Sequence, residues 1–321
     1  MCLKNTMCIY ELLDCASVDG KSVAEYFSQQ GAVTRVKTLQ GDGGSTDLVE
    51  IRIPGLEGKT AGGKAPTLCV AGSLGGVGGR PAIKGIVSDA DGALVALAVA
   101  SKVLAMKRSG DGLKGDLVVR TTICSNAPTM EHHPVPFMSS YVDFVTLKEE
   151  IVDKAADAII VTETSRGNRV ANYPVFGITP TVKAGWILKT SEDAIDAMER
   201  VTGEPAKVIP ISMQDLTPVT NGVHHLNGLC EMPAGITAPC IGVGLTSLLP
   251  ISGAAPGVTS VTNLEMAVRY VLEIAKDYTA GHFSFYDEAE YKFLTETYGS
   301  MSHLLTQGNK YLGGVDHASK I

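Results

Sequence analysis

The stretch that decides the fold is "GSLGGVGGRPAIKGIVSDADGALVALAVASKVLAMKRSG", residues 72–110. Small and apolar residues recur in it with a helical period, which predicts a half-buried helix from about 89 to 107. Its face comprises Leu94, Leu97, Ala98, Ser101, Leu104 and Ala105. Asp89 and Asp91 open this helix. They either cap it, as the helix dipole favours, or Asp89 binds a cation while Asp91 helps to orient it.

Apolar strands alternate with helical segments along the rest of the chain. Strands are predicted in 32–55, 65–73, 115–124, 157–164, 168–190, 206–212 and 238–247, and helices in 7–31, 147–156, 191–203, 262–278 and 286–298. Thr262 and Glu265 have the spacing of a capping box. This alternation predicts the α/β class: a three-layer sandwich with a mostly parallel mixed central sheet.

The domain organisation follows from the same pattern. Residues 1–278 are predicted to form one α/β domain, and 279–321 a C-terminal helix and tail. Within the domain, 168–235 is interpreted as a lid, a dimerisation element or part of the same sheet.

Composition narrows the function classes. The 27 basic and 34 acidic residues give a net charge of −7 without a basic run, which argues against nucleic acid as a partner. No apolar segment reaches the roughly 20 residues that span a bilayer, so no membrane partner is expected. Seven cysteines without a CxxC pair indicate reduced thiols and a cytoplasmic location. The low charged fraction of 19% suits a homo-oligomer.

Polar residues at the ends of predicted strands are the candidate site residues, because ligands bind at the carboxyl ends of parallel strands. Histidine and glutamate are good ligands for zinc-like cations, and a glutamate can also serve as general base. Besides Asp89 and Asp91, the candidates are Ser73, Glu131, His132, His133, Glu163, His224 and His225. The two histidine doublets match no compact metal motif such as HExxH.

Several segments, in order, resemble the zinc-dependent exopeptidase superfamily, especially its deblocking and glutamyl aminopeptidase branch. They are "IYELLDCASVDGKSVAEYFSQQG", "GDGGSTDLVEIRIPG", "PTLCVAGSLGGVG", "SDADGALVALAVASKVL", "LKGDLVVRTTICSNAPTMEHH", "ADAIIVTET" and "APCIGVGLTS" followed by "VTNLEMAVRYVLEIAKDY". The resemblance covers roughly residues 9–278. It implies a hydrolase-like α/β fold and a metal site, with Asp89 in the place of the family's bridging aspartate.

The chain departs from that family at most metal ligands. Ser73-Leu74-Gly75 stands where the family has His-x-Asp, the Glu-Glu pair is missing although Glu131 lies slightly later, and 253–260 contains no histidine. Asp89 carries over, and Glu163 does so with a register slip of one residue. The whole chain also resembles a conserved bacterial family of unknown function.

Three functions remain open. The first is a metal-dependent hydrolase of small-molecule or short-peptide substrates, with Glu131 or Glu163 moving the proton. Its metal, zinc or else manganese or nickel, would be held by ligands drawn from Asp89, Glu131, His132, His133, Glu163, His224 and His225. The second is a binding or assembly protein without a metal. The third is a cysteine-dependent racemase or isomerase at Cys124.

Overall fold

A computed structural model describes residues 1–73, 86, 88–130, 137–164, 173–212, 230, 235–246 and 259–304. The helices of this part are α1 (Leu3–Leu13), α2 (Gly20–Ser28), α3 (Asp91–Arg108), α4 (Phe144–Ile151), α5 (Glu192–Thr202), α6 (Val261–Thr279) and α7 (Glu288–Tyr298). Its strands are β1 (Val33–Gly41), β2 (Gly44–Ile53), β3 (Leu68–Gly72), β4 (Leu117–Ile123), β5 (Thr129–Met130), β6 (Phe137–Met138), β7 (Ala158–Thr164), β8 (Val175–Ile178), β9 (Val182–Lys183), β10 (Trp186–Ile187) and β11 (Cys240–Thr246).

The described strands form one large mixed sheet and a separate β5–β6 hairpin. The large sheet has the order β1-β2-β4-β3-β7-β11-β9-β10, with β8 also paired to β11. Its centre, β4-β3-β7-β11, is parallel, whereas β1, β2, β8, β9 and β10 pair antiparallel. Helices cover both faces, so the predicted α/β sandwich is confirmed.

Alternation along the strands divides the core between the two faces of the sheet. Val70 of β3 and Ile160 of β7 join the larger hydrophobic cluster, beneath α1, α3 and α6. Cys69 and Ile159, one residue earlier, join a second cluster on the face that α4 covers. Successive side chains in a strand point to opposite faces. The face of every later residue in β3 and β7 is therefore fixed.

Helix α3 is the central helix of the larger face, and the prediction that it is half-buried is wrong. Every residue from Asp91 to Ser101 is buried, and so are Val103 and Leu104. Helices α1 and α6 pack on the helix from one side, and β3, β4 and β7 pack on it from the other. An amphipathic period describes a helix with one solvent-exposed face, whereas α3 is exposed only in its last turn, at Lys107 and Arg108.

Three other predicted elements differ from the structure. The helix expected at 147–156 begins earlier, because the Asp143 carboxylate caps it by accepting a hydrogen bond from the Thr146 N–H at 2.9 Å. The segment 206–212 contributes only a bridge between Val208 and Ile178. Ser260 occupies the N-cap of α6, and Glu265 does not complete a capping box.

Glu265 connects α6 to the beginning of the chain. Its Oε1 accepts a hydrogen bond from the backbone N–H of Cys2 at 2.9 Å, and its Oε2 lies 3.1 Å from Nε of Arg269. The carboxylate that the sequence pattern assigned to capping therefore docks α1 onto α6.

A partly buried ion network ties β2 and β4 to the chain after α4. Nε of Arg120 donates to Glu50 at 2.7 Å, and Nη2 of Arg52 donates to Asp153 at 2.9 Å. Arg120 also donates to the carbonyl oxygen of Val152 at 2.9 Å. Burial raises the pKa of Glu50, but hydrogen bonds from Arg52 and Arg120 outweigh burial and hold this pKa below its ordinary value.

The segment after α6 packs against the sheet domain. Phe283 and Phe285 are buried in the larger hydrophobic cluster. Nε1 of Trp186 in β10 donates to the carbonyl oxygen of Gly299 at 3.2 Å, just after α7. No helix in the described part of the chain has the length and apolarity that crossing a membrane requires.

Candidate active site

The carboxyl ends of β3 and β7 bring Ser73 and Glu163 together. Alternate residues of a strand share one face, so Ser73 lies on the same face as Cys69, and Glu163 lies on the same face as Ile159. This is the face that α4 covers. Both side chains are buried, and a hydrogen bond links the Ser73 side chain to the Glu163 carboxyl. Two of the predicted site residues, which lie 90 positions apart in the chain, therefore meet at one edge of the sheet.

The beginning of α3 packs on the opposite face of the sheet, at the same ends of β3 and β7. The hydroxyl of Thr162 donates to the carbonyl oxygen of Gly92 at 2.7 Å, and that of Thr164 donates to the carbonyl oxygen of Ser88. A Cβ on Gly92 would lie 2.4 Å from the Thr162 carbonyl oxygen, so only glycine allows this approach. The close contact fixes Asp89 and Asp91 beside the ends of β3 and β7.

Asp89 is a buried carboxyl and not a helix cap. The N-cap of α3 is Ala90, which makes no side-chain capping hydrogen bond. Burial raises the pKa of Asp89 to about 6, although a hydrogen bond from the Met138 backbone lowers it in part. The capping interpretation is therefore wrong, while the interpretation as a functional carboxylate stays a prediction.

Asp91 accepts a hydrogen bond from the start of another helix. The Thr259 hydroxyl donates to its Oδ1 at 2.8 Å. Burial raises the pKa of Asp91 well above its ordinary value, and the negative charge of Asp89 adds to the increase. The hydrogen bond from Thr259 acts in the opposite direction. Asp91 thus joins α3 to the segment before α6, and it does not cap α3.

Glu163 has the environment of a proton carrier. Burial raises its pKa to about 7, the positive charge of Lys148 and the hydrogen bond with Ser73 lower it, and Asp89 raises it further. Its Oε2 is buried and has no hydrogen-bond partner in the described structure. A carboxyl with a pKa near neutrality can both take up and release a proton under physiological conditions. Such perturbed groups mark candidate functional sites.

Lys148 is the residue of this cluster that sequence reasoning missed. It lies on α4 with only 3% of its side chain exposed, and its Nζ is 3.9 Å from Oε2 of Glu163. The signal was present, because Phe144, Leu147, Lys148 and Ile151 have the i, i+3, i+4, i+7 spacing of one helix face. A lysine in the middle of an otherwise apolar helix face is expected to be buried together with its charged ammonium group.

The remaining predicted ligands are not among the described residues. Glu131, His132, His133, His224 and His225 lie outside the described ranges. Within those ranges, no three His, Cys, Asp or Glu side chains are arranged so that they could hold a metal ion. Asp89 and Glu163 could therefore contribute oxygen ligands, and a further ligand would have to come from the undescribed segments.

Cys124, the candidate nucleophile of the racemase hypothesis, directly follows β4. Its side chain is 9% exposed, and its Sγ donates to the carbonyl oxygen of Ser45 at 3.6 Å. None of the seven cysteines forms a disulfide bond.

Solved structures of aminopeptidases are similar to this chain. A cytosol aminopeptidase from Coxiella burnetii shares 15% identity with a TM-score of 0.51, over 86% of this chain and 68% of that one. A leucine aminopeptidase from Caenorhabditis elegans shares 13% identity with a TM-score of 0.51, over 88% and 65%. The bottromycin maturation enzyme BotP in complex with Mn shares 12% identity with a TM-score of 0.48, over 85% and 70%. At this identity, the likeness to the first two shows the fold.

The fold likeness supports an aminopeptidase-like scaffold. The deblocking and glutamyl aminopeptidase branch, and the metal site that the sequence resemblance implied, stay predictions. A search of curated proteins finds no significant match. A family model described as "Protein of unknown function (DUF1177)" matches residues 37–308, most of the sequence. The chain therefore belongs to the DUF1177 family.

Proposed function

We propose that the protein hydrolyses an amide or peptide-like bond at the carboxyl ends of β3 and β7. The observation that carries this proposal is the pair of buried carboxyls, Asp89 and Glu163, with pKa values of about 6 and about 7. They lie where α/β sheets place their ligand sites, on a scaffold similar to that of aminopeptidases. A purely structural role would not require two buried carboxyls with pKa values near neutral pH, whereas proton transfer does.

Glu163 is the proposed proton carrier. Its unpartnered Oε2 can accept a proton from an attacking water molecule and return it to the leaving amine. The hydrogen bond with Ser73 orients the carboxyl, and burial excludes bulk water from it. Glu131, which lies outside the described ranges, is a second candidate for the same role.

A divalent cation is part of the proposal. Two buried carboxyls with raised pKa values and an oxygen without a partner fit a cation, because a positive charge would stabilise both ionised forms. Asp89 and Glu163 would hold it together with ligands from Glu131, His132, His133, His224 or His225. When bound, a cation such as zinc, manganese or nickel supplies Lewis-acid activation of water and of a carbonyl.

A second candidate function is a binding or assembly protein that works without a metal. The observation that favours it is that the described residues contain no three-ligand arrangement. In that case Asp89 and Glu163 would recognise a cationic or hydrogen-bonding group of a ligand, and no turnover would occur.

The proposed substrate is a small molecule or a short peptide, and the proposed form of the protein is a homo-oligomer. None of the seven cysteines forms a disulfide bond, which suits a reducing compartment, so we propose the cytoplasm as the location. Size-exclusion chromatography with light scattering tests the oligomer.

Metal content and turnover test the proposed function together. Protein purified without chelator is analysed by plasma mass spectrometry and assayed on aminoacyl p-nitroanilides and short peptides. Bound metal and turnover, both lost in Asp89→Asn and Glu163→Gln, support the hydrolase. The double variant His132→Ala/His133→Ala tests the predicted third ligand. Glu149→Gln, which changes an exposed carboxylate on α4, is the matched control. Folded protein with neither bound metal nor turnover would contradict the hydrolase and favour the binding or assembly function.

A further inference from the structure

Two cysteine side chains that the proposed hydrolase does not use meet beside β11. Cys240 is the first residue of this strand, and Cys230 precedes it in the chain. Their side chains are 0% and 2% exposed, and both belong to the second hydrophobic cluster. A hydrogen bond links the two side chains. The two thiols are therefore in direct contact, although no disulfide joins them.

Cys230 lies in a polar environment inside this cluster. Its Sγ is 3.1 Å from the hydroxyl oxygen of Thr179, which accepts a hydrogen bond from the Gly242 N–H at 2.9 Å. The Gly242 backbone also hydrogen-bonds with Cys230 itself. Cys240 and Gly242 are alternate residues of β11, so both contact Cys230 from one face of the sheet. The Thr179 hydroxyl can donate to the carbonyl oxygen of Pro180 at 2.8 Å, and rotating it turns the proton towards Cys230.

The two thiols differ in acidity. The hydrogen bond from Cys240, followed by that with Thr179, holds the pKa of Cys230 below its ordinary value, although burial raises this pKa. Burial raises the pKa of Cys240 well above its ordinary value, and the hydrogen bond with Cys230 adds to the increase. A buried thiol in apolar surroundings stays protonated and inert. Cys230 is therefore the member of the pair that forms a thiolate, and Cys240 is the thiol that remains beside it.

We propose that Cys230 and Cys240 are a redox modification site, at which a peroxide converts two neighbouring thiols into a disulfide. The Cys230 thiolate attacks one oxygen of hydrogen peroxide, and the O–O bond breaks. A sulfenic acid forms, and the hydroxide that leaves takes up the proton that Cys230 released and becomes water. Sγ of Cys240 then attacks the sulfenic sulfur, so that the S–S bond forms and the S–O bond breaks. The Cys240 proton leaves with this oxygen as a second water molecule.

Burial decides which class of oxidant fits this site. Glutathione disulfide is too bulky to reach an Sγ whose side chain is 2% exposed, whereas hydrogen peroxide is little larger than water. The contact between the thiols lets Cys240 capture the sulfenic acid before a second peroxide oxidises it irreversibly. A thiol reductant that reaches the disulfide reverses the modification by exchange. The inference does not depend on the proposed hydrolase or on a metal.

Disulfide mapping of the native, full-length protein tests the inference. The protein is treated with hydrogen peroxide or with glutathione disulfide, and the remaining thiols are then alkylated in denaturant. Proteolysis after glutamate cuts the chain at Glu231, between the two cysteines, so mass spectrometry detects their disulfide as two joined peptides. Exposed Cys15 reports that each oxidant is active. Cys69, buried in the same cluster with a pKa raised to about 12 by burial, is the internal control. The variants are Cys240→Ser and Thr179→Val.

With peroxide we expect the peptides of Cys230 and Cys240 to be joined, Cys69 to be alkylated, and dithiothreitol to separate the joined peptides. Cys240→Ser should instead accumulate a sulfenic acid at Cys230, which dimedone traps. Thr179→Val should form the disulfide at least about 3-fold more slowly, because it lacks the hydroxyl beside the thiolate.

The inference is overturned if Cys230 and Cys240 are both recovered alkylated after peroxide has oxidised Cys15. A disulfide of either residue with Cys69 would also overturn it, as would equally fast formation with glutathione disulfide. The wild-type protein gives these results, so the test does not require either variant to fold.

Discussion

The hydroxyl of Thr259 lies 2.8 Å from Oδ1 of Asp91, although 168 residues separate them in the chain. This hydrogen bond joins the segment before α6 to the first turn of α3. Thr259→Val removes the donor and leaves a buried carboxyl oxygen unsatisfied. We therefore expect the free energy of unfolding to fall by about 1–3 kcal/mol, measured by urea denaturation. Thr259→Ser keeps the hydroxyl and should retain most of the stability. A loss of stability in Thr259→Ser but not in Thr259→Val would show that the threonine methyl group, and not the hydrogen bond, matters.

The stability of the metal-free protein should fall as the pH rises. Burial raises the pKa of Asp89 to about 6 from 3.8 and that of Glu163 to about 7 from 4.5. The folded protein therefore holds protons that the unfolded chain has already released. This contribution is fully present below about pH 4 and is lost as the pH rises to about 7. Each carboxyl accounts for up to about 3 kcal/mol.

Urea denaturation with a chelator between pH 5 and pH 8 measures this dependence. We expect Asp89→Asn and Glu163→Gln each to reduce the fall in stability and to be more stable than wild type at pH 8. Glu149→Gln, an exposed carboxylate on α4, should follow the wild-type curve. A wild-type stability that rises over this range would contradict the assignment of raised pKa values to these groups.

Gly92 should not tolerate a larger residue. A Cβ there would lie 2.4 Å from the Thr162 carbonyl oxygen and 2.8 Å from that of Ser73, both backbone atoms that cannot move aside cheaply. We expect Gly92→Ala to destabilise the fold by about 2 kcal/mol or more. Gly112→Ala, whose nearest neighbour would be Cγ of Leu56 at 3.4 Å, is the control and should have little effect on thermal unfolding. Equal melting temperatures for both variants would be inconsistent with the tight contact.

The partly buried network around Arg120 should be far more sensitive to loss of a charged side chain than an exposed ion pair is. Arg120→Met leaves Glu50 and Asp153 buried with less compensation, and we expect a loss of about 3–5 kcal/mol. Arg200→Met breaks a pair with Asp277 whose arginine is 54% exposed, and we expect less than about 1 kcal/mol. Chemical denaturation of both variants gives the comparison. Similar losses would show that Arg120 contributes through its aliphatic stem and not through its charge.

Strand and helix positions could be predicted where the pattern is local. The β1–β2 hairpin, β3, β4, β7, β11 and the helices α3, α5 and α6 lie close to their predicted ranges, because strand alternation and helical period are local properties of sequence. Segment 206–212 looks like a strand by the same criterion. Whether an extended segment pairs depends on neighbours that are remote in the sequence, and Val208 finds only one bridge.

The roles of individual polar residues could be predicted only in part. Asp89 and Glu163 can be identified from the sequence, because Asp89 follows a glycine-rich loop and Glu163 lies near the end of a predicted strand, both at the ligand-binding edge of the sheet. The capping role of Asp89 and Asp91 was wrong because local sequence does not reveal that α3 begins inside the core, where Thr259 supplies the hydrogen bond. Lys148 was missed because a charged residue on a predicted helix is usually solvated, and its burial follows from how α4 packs on β7.

The burial of most of α3 links the chemistry of the site to the dynamics of the whole molecule. Its last turn, with Lys107 and Arg108, is exposed, but the part that α1, α6 and the sheet enclose cannot expose its amide groups by fraying or by a local fluctuation. Its slowest amide protons should exchange with solvent only when the entire domain opens. Asp91 belongs to that helix and Asp89 lies two residues before it, so their positions persist as long as the native state does. The rate of amide hydrogen exchange along 94–104 thus reports how often the whole site is lost through global unfolding.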